Sequence, residues 1–399
     1  IHRLAERARK AIRTDSYTDL WQGIKVVYKA LQQGNEKLDL MPLGGLFKED
    51  QCPLLDACNL DNEHLMKAIK QLRWNDIDGV KTFTDYRNMG TEEFGSVYES
   101  LLELVPNVNT ETKTFSFVGV GDENGIVEDG STKGNARKLS GSYYTDASLV
   151  QSLIKTALVP AIERKLRAEE EMAKAENRAP DYEKAILDFR MIDAGSGSGH
   201  FLLAGSRKLA EKLSEIRNEK SGMDATAESY RKALRDVITN CIYGVDLNDM
   251  AVELARTALW LEGYEPGKPL EFLNHHIKCG NSLVGVFDLN VLKKGIPAAA
   301  YAPLTGDDKA VCTAAKNSNK MQAGPAQISL LDRTAEISNE QLIRLTKKIE
   351  SLPNDDIKSE ERKRELYDQL TQDATYLKNK MACDLYTAAF FANKVDIAL

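Results

Sequence analysis

The sequence lacks the long hydrophobic runs and the cysteine pairs that would place it directly in several protein classes. No apolar run reaches the 18 or so residues of a membrane-spanning helix, so we expect no membrane partner. The six cysteines contain no C-x-x-C pair, and His275-His276 beside Cys279 lack a second ligand pair, so no metal site is expected. Free, reduced cysteines of this kind are typical of a cytoplasmic protein.

An excess of positive charge is also missing. The 53 lysines and arginines face 60 aspartates and glutamates, which gives a formal net charge of −7. This balance excludes a uniformly basic surface for nucleic acid but still allows a local cleft that binds it. A length of 399 residues, 42% of them hydrophobic, is enough for two or three domains with a sizeable core.

The most informative segment is a glycine-rich run, MIDAGSGSGHFLL, that begins at Met191. It reads as a short apolar strand, a tight turn and the start of a helix. Glycines in such a turn let backbone N–H groups approach a ligand closely, because no Cβ stands between them. A dinucleotide-binding fingerprint would need a third glycine at the position of His200, so the spacing departs from that motif.

A second apolar strand, Cys241–Asp246, ends in a carboxylate. In doubly wound folds an acid at this place hydrogen-bonds ribose hydroxyls, usually about 20 residues beyond the glycine turn. Asp246 lies 53 residues after Asp193, so we predict two helices in between, at 201–218 and 227–240. Asn248 or Asp249 is expected to cap a further helix, before a third strand that begins at Ile277.

These patterns predict an α/β fold class with four regions. Residues 1–110 read as an N-terminal helical domain, and residues 111–134 as a hairpin, with a strand at 114–120, followed by a mobile loop. Residues 135–290 form the core, and residues 291–399 a loop, over 295–328, with a helical hairpin. The hairpin helices are predicted at 338–351 and 359–381. Packing on the core is the favoured role of the hairpin, and contact with DNA is the alternative.

Four ordered motifs resemble the N6-adenine DNA methyltransferases of the gamma motif order. Gly141–Thr145 is similar to motif X, Asp193–Phe201 to motif I, Gly244–Asp246 to motif II and Gly280–Leu283 to motif III. The resemblance is greatest to the large methylases of type IIG restriction–modification systems and of BREX-type phage defence. It implies a Rossmann-like core that binds S-adenosyl-L-methionine (SAM) as cofactor, and double-stranded DNA as partner of the parent protein.

The resemblance also implies which residues contact SAM. Asp193 and the glycine loop would hold the methionine end, Asp246 the ribose hydroxyls, and Leu247 and Asn281 the adenine. The loop glycines and the residues of the wall beside the methionine are Gly195, Gly197, Gly199, Tyr143, Tyr144, Thr145 and Phe201. Simpler roles stay open: Asp193 could only cap the next helix, Tyr143 and Tyr144 could be core rings, and Asn281 could only form a turn.

One departure from the family concerns the catalytic step. These methylases carry an Asn, Asp or Ser followed by Pro-Pro and an aromatic residue after motif III, and this chain has no Pro-Pro pair. We therefore expect a fragment that lacks the catalytic motif, expected beyond Leu399, and is inactive alone. The alternatives are a non-catalytic scaffold derived from a methylase, or a SAM methyltransferase that acts on RNA, protein or small molecules.

Overall fold

Two units make up the computed structural model, and each is described by itself. The first holds Ile1–Cys279 with Asn354–Ile357, and the second holds Gly280–Pro353 and Lys358–Leu399. The structure describes residues 15–38, 53–77, 79–86, 105–109, 114–118, 145–222, 226–322 and 340–395, and in addition positions 4, 6, 40, 43, 89, 90, 93, 111, 112 and 224.

Three helices and two antiparallel hairpins form the described amino-terminal part of the first unit. The elements are α1 (Asp19–Gln33), α2 (Pro53–Ala57), α3 (Asn62–Arg73), β1 (Trp74–Ile77), β2 (Val80–Phe83), β3 (Val105–Asn109) and β4 (Thr114–Val118). Strand β1 pairs with β2, and β3 with β4. The strand expected at 114–120 is thus confirmed over β4. Residues 1–110 are helical only in part, because three of these strands fall within that range.

A long helical segment precedes the sheet and contains one irregular turn. Its parts are α4 (Ala147–Leu153), a π turn (Ile154–Leu158) and α5 (Val159–Ala175). Pro160 accounts for the irregular turn, because it has no N–H and its ring would collide with the carbonyl four residues earlier in a regular helix. The side chains of Val150, Ile154, Leu158 and Ile162 are buried, whereas those of Leu149 and Leu153 are exposed.

A three-stranded parallel sheet lies at the centre of the first unit. Strands β5 (Met191–Asp193), β6 (Ile242–Asp246) and β7 (Ile277–Cys279) stand in that order, with Asp193 beside Gly244 and Asp246 beside Cys279. The accompanying helices are α6 (Tyr182–Leu187), α7 (His200–Ser221), α8 (Ala227–Cys241) and α9 (Asp249–Glu262). The three strands and the helices between them are confirmed. The described chain is mostly helical with a small parallel sheet, and a complete Rossmann-like core stays a prediction.

Close packing of α7 on the sheet fixes where the glycine loop stands. A Cβ on Gly205 would lie 2.3 Å from the Sδ atom of Met191, so a larger residue here would force the end of the Met191 side chain to move. The core around this contact is apolar and excludes solvent, with side chains from α7, α8, α9, β6 and β7 fully buried: Leu202, Leu209, Leu213, Val237, Ile238, Ile242, Leu259 and Ile277. The loop therefore rises from a rigid base.

Helices and short 3₁₀ turns follow the sheet in the described part of the chain after Gly280. The 3₁₀ turns are Leu289–Lys294 and Ala298–Tyr301, and the helices are α10 (Lys309–Gln322), α11 (Glu340–Ser351), α12 (Ile357–Gln372) and α13 (Ala374–Phe391). The expectation of a loop over 295–328 is wrong at Lys309–Gln322, which form α10. The single helix expected at 359–381 is wrong as well, since Asp373 accepts the N–H of Thr375 at 2.8 Å and starts a new helix.

A buried ionic contact fixes the end of the described chain within the second unit. The carboxylate of Asp307 accepts the N–H groups of Leu304, at 3.0 Å, and of Lys394, at 2.9 Å. The ammonium group of Lys394 lies 3.7 Å from the same carboxylate, and both side chains are almost fully buried.

Among the described helices of the whole chain, none combines the length and the apolar character that crossing a membrane requires.

Candidate functional site

The glycine loop lies between the end of β5 and the start of α7. Gly199 immediately precedes α7 with a φ of +91°, a left-handed conformation that side chains rarely adopt. A Cβ at this position would also lie 3.2 Å from the Cβ of Ala255 on α9. The loop therefore needs glycine here both for its backbone conformation and for its contact with α9.

Backbone hydrogen bonds join this loop to the neighbouring strand. The N–H of Ser196 donates to the carbonyl oxygen of Val245 at 3.0 Å, and the N–H of Gly199 donates to the carbonyl of Ser196 at 2.8 Å. The N–H of Ser198 has no acceptor among the described residues. An amide group of this kind, close to a helix N-terminus, is suited to bind an anionic group of a ligand.

The predicted acid of the second strand, Asp246, contacts the same loop. Its Oδ2 accepts the N–H of Gly197 at 2.8 Å, and its Oδ1 accepts the N–H of Asn248 at 2.8 Å. A carboxylate has about four lone-pair sites, so each oxygen can still accept another hydrogen bond. Asp246 can thus hold the loop in place and also receive hydroxyl groups of a ligand.

The described residues leave space open over the two glycines at the front of the loop. A Cβ on Gly195 or on Gly197 would meet none of their atoms within 4 Å, in contrast to Gly199. Gly197 has a φ of +50°, whereas Gly195 is not among the residues with positive φ. A ligand can therefore approach the backbone at both positions, and a side chain at Gly195 would occupy that space without straining the backbone.

Asp193 carries a buried, unpaired acceptor beside the glycine loop. Its Oδ1 accepts the N–H of Gly195 at 3.1 Å, whereas its Oδ2 is buried and has no hydrogen-bond partner among the described residues. Burial raises the pKa of the Asp193 carboxyl, as does the nearby carboxylate of Asp246, although the bond from Gly195 acts in the opposite direction. A cationic donor at Oδ2 would relieve both effects. The bond of Asp193 is made to Gly195 within the loop, five positions before α7 begins, and so differs from a cap of that helix.

The other predicted contact residues differ in how accessible they are to a ligand. The side chain of Leu247 is 59% exposed, and so is available to a ligand, whereas Phe201 packs partly buried against the apolar core. Thr145 stands directly before Asp146, the N-cap of α4. Tyr143 and Tyr144 lie outside the described residues.

Asn281 belongs to the second unit, and its own contacts are those of a turn. Its Oδ1 accepts the N–H of Leu283 at 2.9 Å. This bond is the one that the simpler interpretation of Asn281 predicts. A contact of Asn281 with adenine stays a proposal.

Ser196 is a site residue that the sequence reasoning missed. Its side chain is 6% exposed, and its Oγ has no hydrogen-bond partner among the described residues. A Cβ on Gly244 would lie 3.2 Å from this Oγ, so the hydroxyl sits against the bare backbone of β6. The signal in the sequence is the glycine two residues before Asp246, which leaves room for Ser196.

The segment around this loop is similar to a known protein family. Residues 169–281, which include Asp193, the loop and Asp246, match the family model described as MmeI, DNA-methyltransferase domain. A protein of Methanocaldococcus jannaschii named "Putative type II restriction enzyme and methyltransferase RM.MjaORFECS2P" is 27% identical over 297 residues, which are 63% of this chain. These matches confirm the resemblance to restriction–modification methyltransferases.

A solved structure also matches. It is that of the type IIL restriction–modification enzyme MmeI in complex with DNA, with 16% sequence identity and a TM-score of 0.37 over 65% of this chain. The chain spans 22% of the length of the curated relative and 29% of the MmeI chain.

Proposed function

We propose that this chain is the SAM-binding part of a DNA methyltransferase that modifies the N6 atom of adenine in a restriction–modification or phage-defence system. The family match of residues 169–281 supports the methyltransferase class. The order of motifs X, I, II and III along the sequence supports adenine N6 as the target. The geometry of the glycine loop supports the cofactor.

The residues of the loop fit the chemical groups of SAM. SAM supplies a methyl group on a positively charged sulfonium, and its methionine end carries an ammonium and a carboxylate. The unpaired, buried Oδ2 of Asp193 suits the ammonium, and the free N–H of Ser198 suits the carboxylate. The remaining acceptor sites of Asp246 suit the ribose hydroxyls, and the exposed Leu247 offers an apolar surface to the adenine.

In the proposed function, this part of the enzyme contributes positioning of the methyl donor. Methyl transfer to an amino group is an in-line displacement that depends on the placement of the two reactants more than on acid–base help. The target adenine must leave the base stack before its amino group can be reached. The family's Pro-Pro-aromatic motif, which would orient that base, is absent from this sequence.

One observation carries the assignment: no described residue fills the space over Gly195, and the N–H of Gly195 donates to Asp193, whose Oδ2 is an unpaired acceptor. Calorimetric titration of the 399-residue chain with SAM and with its demethylated product tests it directly. The Gly195→Val variant should keep its melting temperature, because a Cβ at this position meets no atom of the described residues, and should bind SAM at least tenfold more weakly.

Gly23→Val is the matched control. A Cβ on Gly23, in helix α1, also meets no atom of the described residues within 4 Å, and this glycine belongs to no predicted SAM contact. The control should bind SAM as the parent chain does. A folded parent chain that gives no heat with either ligand would refute the proposed cofactor, and so would equal affinities in Gly195→Val and the parent.

We further expect this chain alone to transfer no methyl group to duplex DNA above background. Misplacement of a reactant by about 1 Å can cost about a hundredfold in rate, and here the flipped adenine would have no acceptor pair or aromatic ring to hold it. Labelled SAM and duplex DNA provide the assay. Robust methylation by the 399-residue chain would mean that its catalytic residues lie outside the gamma-type pattern.

A further inference from the structure

Helix α10 carries charge of one sign only. Lys309, Lys316 and Lys320 lie along it, and no aspartate or glutamate occurs between positions 309 and 322. The chain as a whole has a net charge of −7, so this helix is a local exception to the balance of the molecule. We call these three side chains the α10 stripe.

The helix period places the three lysines on one line. Residues 7 and 11 positions apart fall within about 40° of each other around a helix with 3.6 residues per turn. The first and last lysine are separated by about 16 Å along the axis, from a rise of about 1.5 Å per residue. All three lysines are exposed to solvent.

An adjacent face of α10, about 60–80° around the helix from Lys309, is fixed to the rest of the second unit. The side chain of Cys312 is 2% exposed, and the Nδ2 of Asn319 donates to the carbonyl oxygen of Ile296 at 2.9 Å. At the start of the helix, the carboxylate of Asp308 is engaged by the N–H groups of Ala310 and Val311. The stripe is therefore presented on a rigid helix.

The three ammonium groups have no ionic partner in the described part of the chain: no carboxylate lies within 4.0 Å of any of them. Three other helical lysines, by contrast, have carboxylate partners. Lys174 contacts Glu170 at 2.8 Å, and Lys208 and Lys212 contact Glu211 and Glu215 at 2.7 and 2.9 Å. A solvated helix face usually interleaves charges of both signs in this way. The α10 stripe concentrates positive charge instead, and an external anion would neutralise it.

We propose that the α10 stripe binds the phosphate backbone of duplex DNA. One strand of B-DNA presents a phosphate every 3.4 Å or so along the axis, so about 16 Å of stripe faces about five phosphates. A lysine stripe contacts phosphates without reading bases, so its role is to hold the duplex. The inference rests on the proposed function, because a DNA methyltransferase has to hold its substrate, and it assigns a DNA contact to this chain itself.

The test compares two triple variants with equal changes of charge. The stripe variant combines Lys309→Gln, Lys316→Gln and Lys320→Gln. The control combines Lys174→Gln, Lys208→Gln and Lys212→Gln, which removes three exposed lysines that have carboxylate partners. Binding of a fluorescent duplex of arbitrary sequence is followed by anisotropy at several salt concentrations, with the 399-residue chain throughout.

The stripe variant should bind the duplex at least tenfold more weakly than the parent. The slope of log affinity against log salt should also become shallower, by about 0.9 for each phosphate that the variant no longer neutralises. The control should bind as the parent does. An equal loss in both variants would show that only net charge matters, and would overturn the proposal. Absence of duplex binding by the parent at low salt, or binding of the stripe to anionic lipid vesicles in place of the duplex, would overturn it too.

Titration with SAM keeps this inference separate from the proposed function. Both triple variants should bind SAM as the parent does, because neither changes a residue of the glycine loop. Normal SAM binding together with unchanged duplex affinity in the stripe variant would refute the stripe alone. Absence of SAM binding in the parent would refute the proposed function, whatever the duplex measurement shows.

Discussion

The Oδ2 of Asp246 accepts a hydrogen bond from the N–H of Gly197 at 2.8 Å, and so joins the end of β6 to the glycine loop across 49 positions of sequence. The Oδ1 of the same carboxylate accepts the N–H of Asn248, just before α9. A ligand that places hydroxyl groups on Asp246 must share the carboxylate with these two amides. One side chain thus holds the loop and is also the group that we propose to contact the ribose.

Asp246→Ala should therefore weaken the structure of the loop as well as the binding of ligand. Hydrogen bonds to a charged group are worth about 1.5–3 kcal/mol each, so we expect the free energy of unfolding to fall by at least this amount. Affinity for SAM should fall about tenfold or more. Denaturant unfolding and calorimetric titration measure the two effects.

Amide hydrogen exchange without ligand separates the two roles of Asp246. The N–H groups of Gly197 and Asn248 should exchange faster in Asp246→Ala, whereas amides in the core of α8 should be unaffected beyond the change in global stability. Unchanged exchange at both positions would show that the carboxylate does not hold the loop.

Asp193→Asn should produce opposite changes in stability and in binding. Burial and the Asp246 carboxylate raise the pKa of Asp193, so the ionised form is disfavoured in the folded protein. A raised carboxyl pKa means that this group destabilises the fold increasingly as pH rises through and above the ordinary aspartate range. The neutral asparagine removes that cost and can still accept the N–H of Gly195, so the melting temperature near neutral pH should increase.

The affinity of the same variant for SAM should decrease. Asparagine has no charge to offer an ammonium group, and the loss of one charge-assisted hydrogen bond corresponds to about tenfold or more in affinity. In the parent chain, the affinity should rise with pH as Asp193 ionises, and in Asp193→Asn this rise should be absent. A variant with lower stability and full affinity would contradict the proposed role of Asp193.

The sequence was sufficient to predict the sheet and the acids at its edge. Short apolar runs before Asp193 and Asp246 are strong strand signals, and parallel strands bring their carboxyl ends to one edge, so both acids meet the glycine loop. The hydrogen bond of Asp246 to the loop could not be predicted. It depends on the distance between two elements, and no local pattern encodes that distance.

Two helical features were missed for different physical reasons. The apolar residues of helix α10 are mostly small, three of them alanine, and its position depends on contacts such as that of Asn319 with Ile296. The break between α12 and α13 arises because the carboxylate of Asp373 caps a new helix. An aspartate inside a polar helical pattern does not by itself predict such a break.

The buried pair of Arg235 and Glu271 should be essential for the stability of the first unit. The two side chains are 2% and 1% exposed, and Nη1 of Arg235 lies 3.3 Å from Oε1 of Glu271. The Nη2 atom also donates to the carbonyl oxygens of Pro269 and Asn354, both at 2.8 Å. Arg235→Met would leave a buried carboxylate without its cation, at a cost of about 3–5 kcal/mol in the free energy of unfolding.

The double variant Arg235→Met with Glu271→Gln is the control for charge. It removes the uncompensated carboxylate while keeping most of the volume of both side chains, so it should regain a substantial part of the lost stability in urea unfolding. A double variant as unstable as Arg235→Met would show that the carbonyl contacts of the arginine, rather than the ion pair, dominate.

Glu169 should make the fold sensitive to acid. Its carboxylate accepts hydrogen bonds from the Arg178 guanidinium, at 2.5 Å, and from the N–H of Asp181, at 2.8 Å. These bonds lower the pKa of Glu169 from 4.5 to about 2. The stability that a depressed pKa provides is fully present above the unfolded value and is lost as pH falls towards the folded one. Glu169→Gln should therefore lower the melting temperature near neutral pH, and the difference from the parent should shrink towards zero as pH approaches 2.

Glu170→Gln is the matched control for Glu169, because it removes a neighbouring glutamate whose contact with Lys174 is exposed. Exposed ion pairs contribute about 0–1 kcal/mol, so this variant should follow the parent across the whole pH series. Parallel melting curves of Glu169→Gln and the parent over that series would show that protonation of Glu169 is not coupled to folding. In that case the contact between Arg178 and Glu169 would contribute to packing alone.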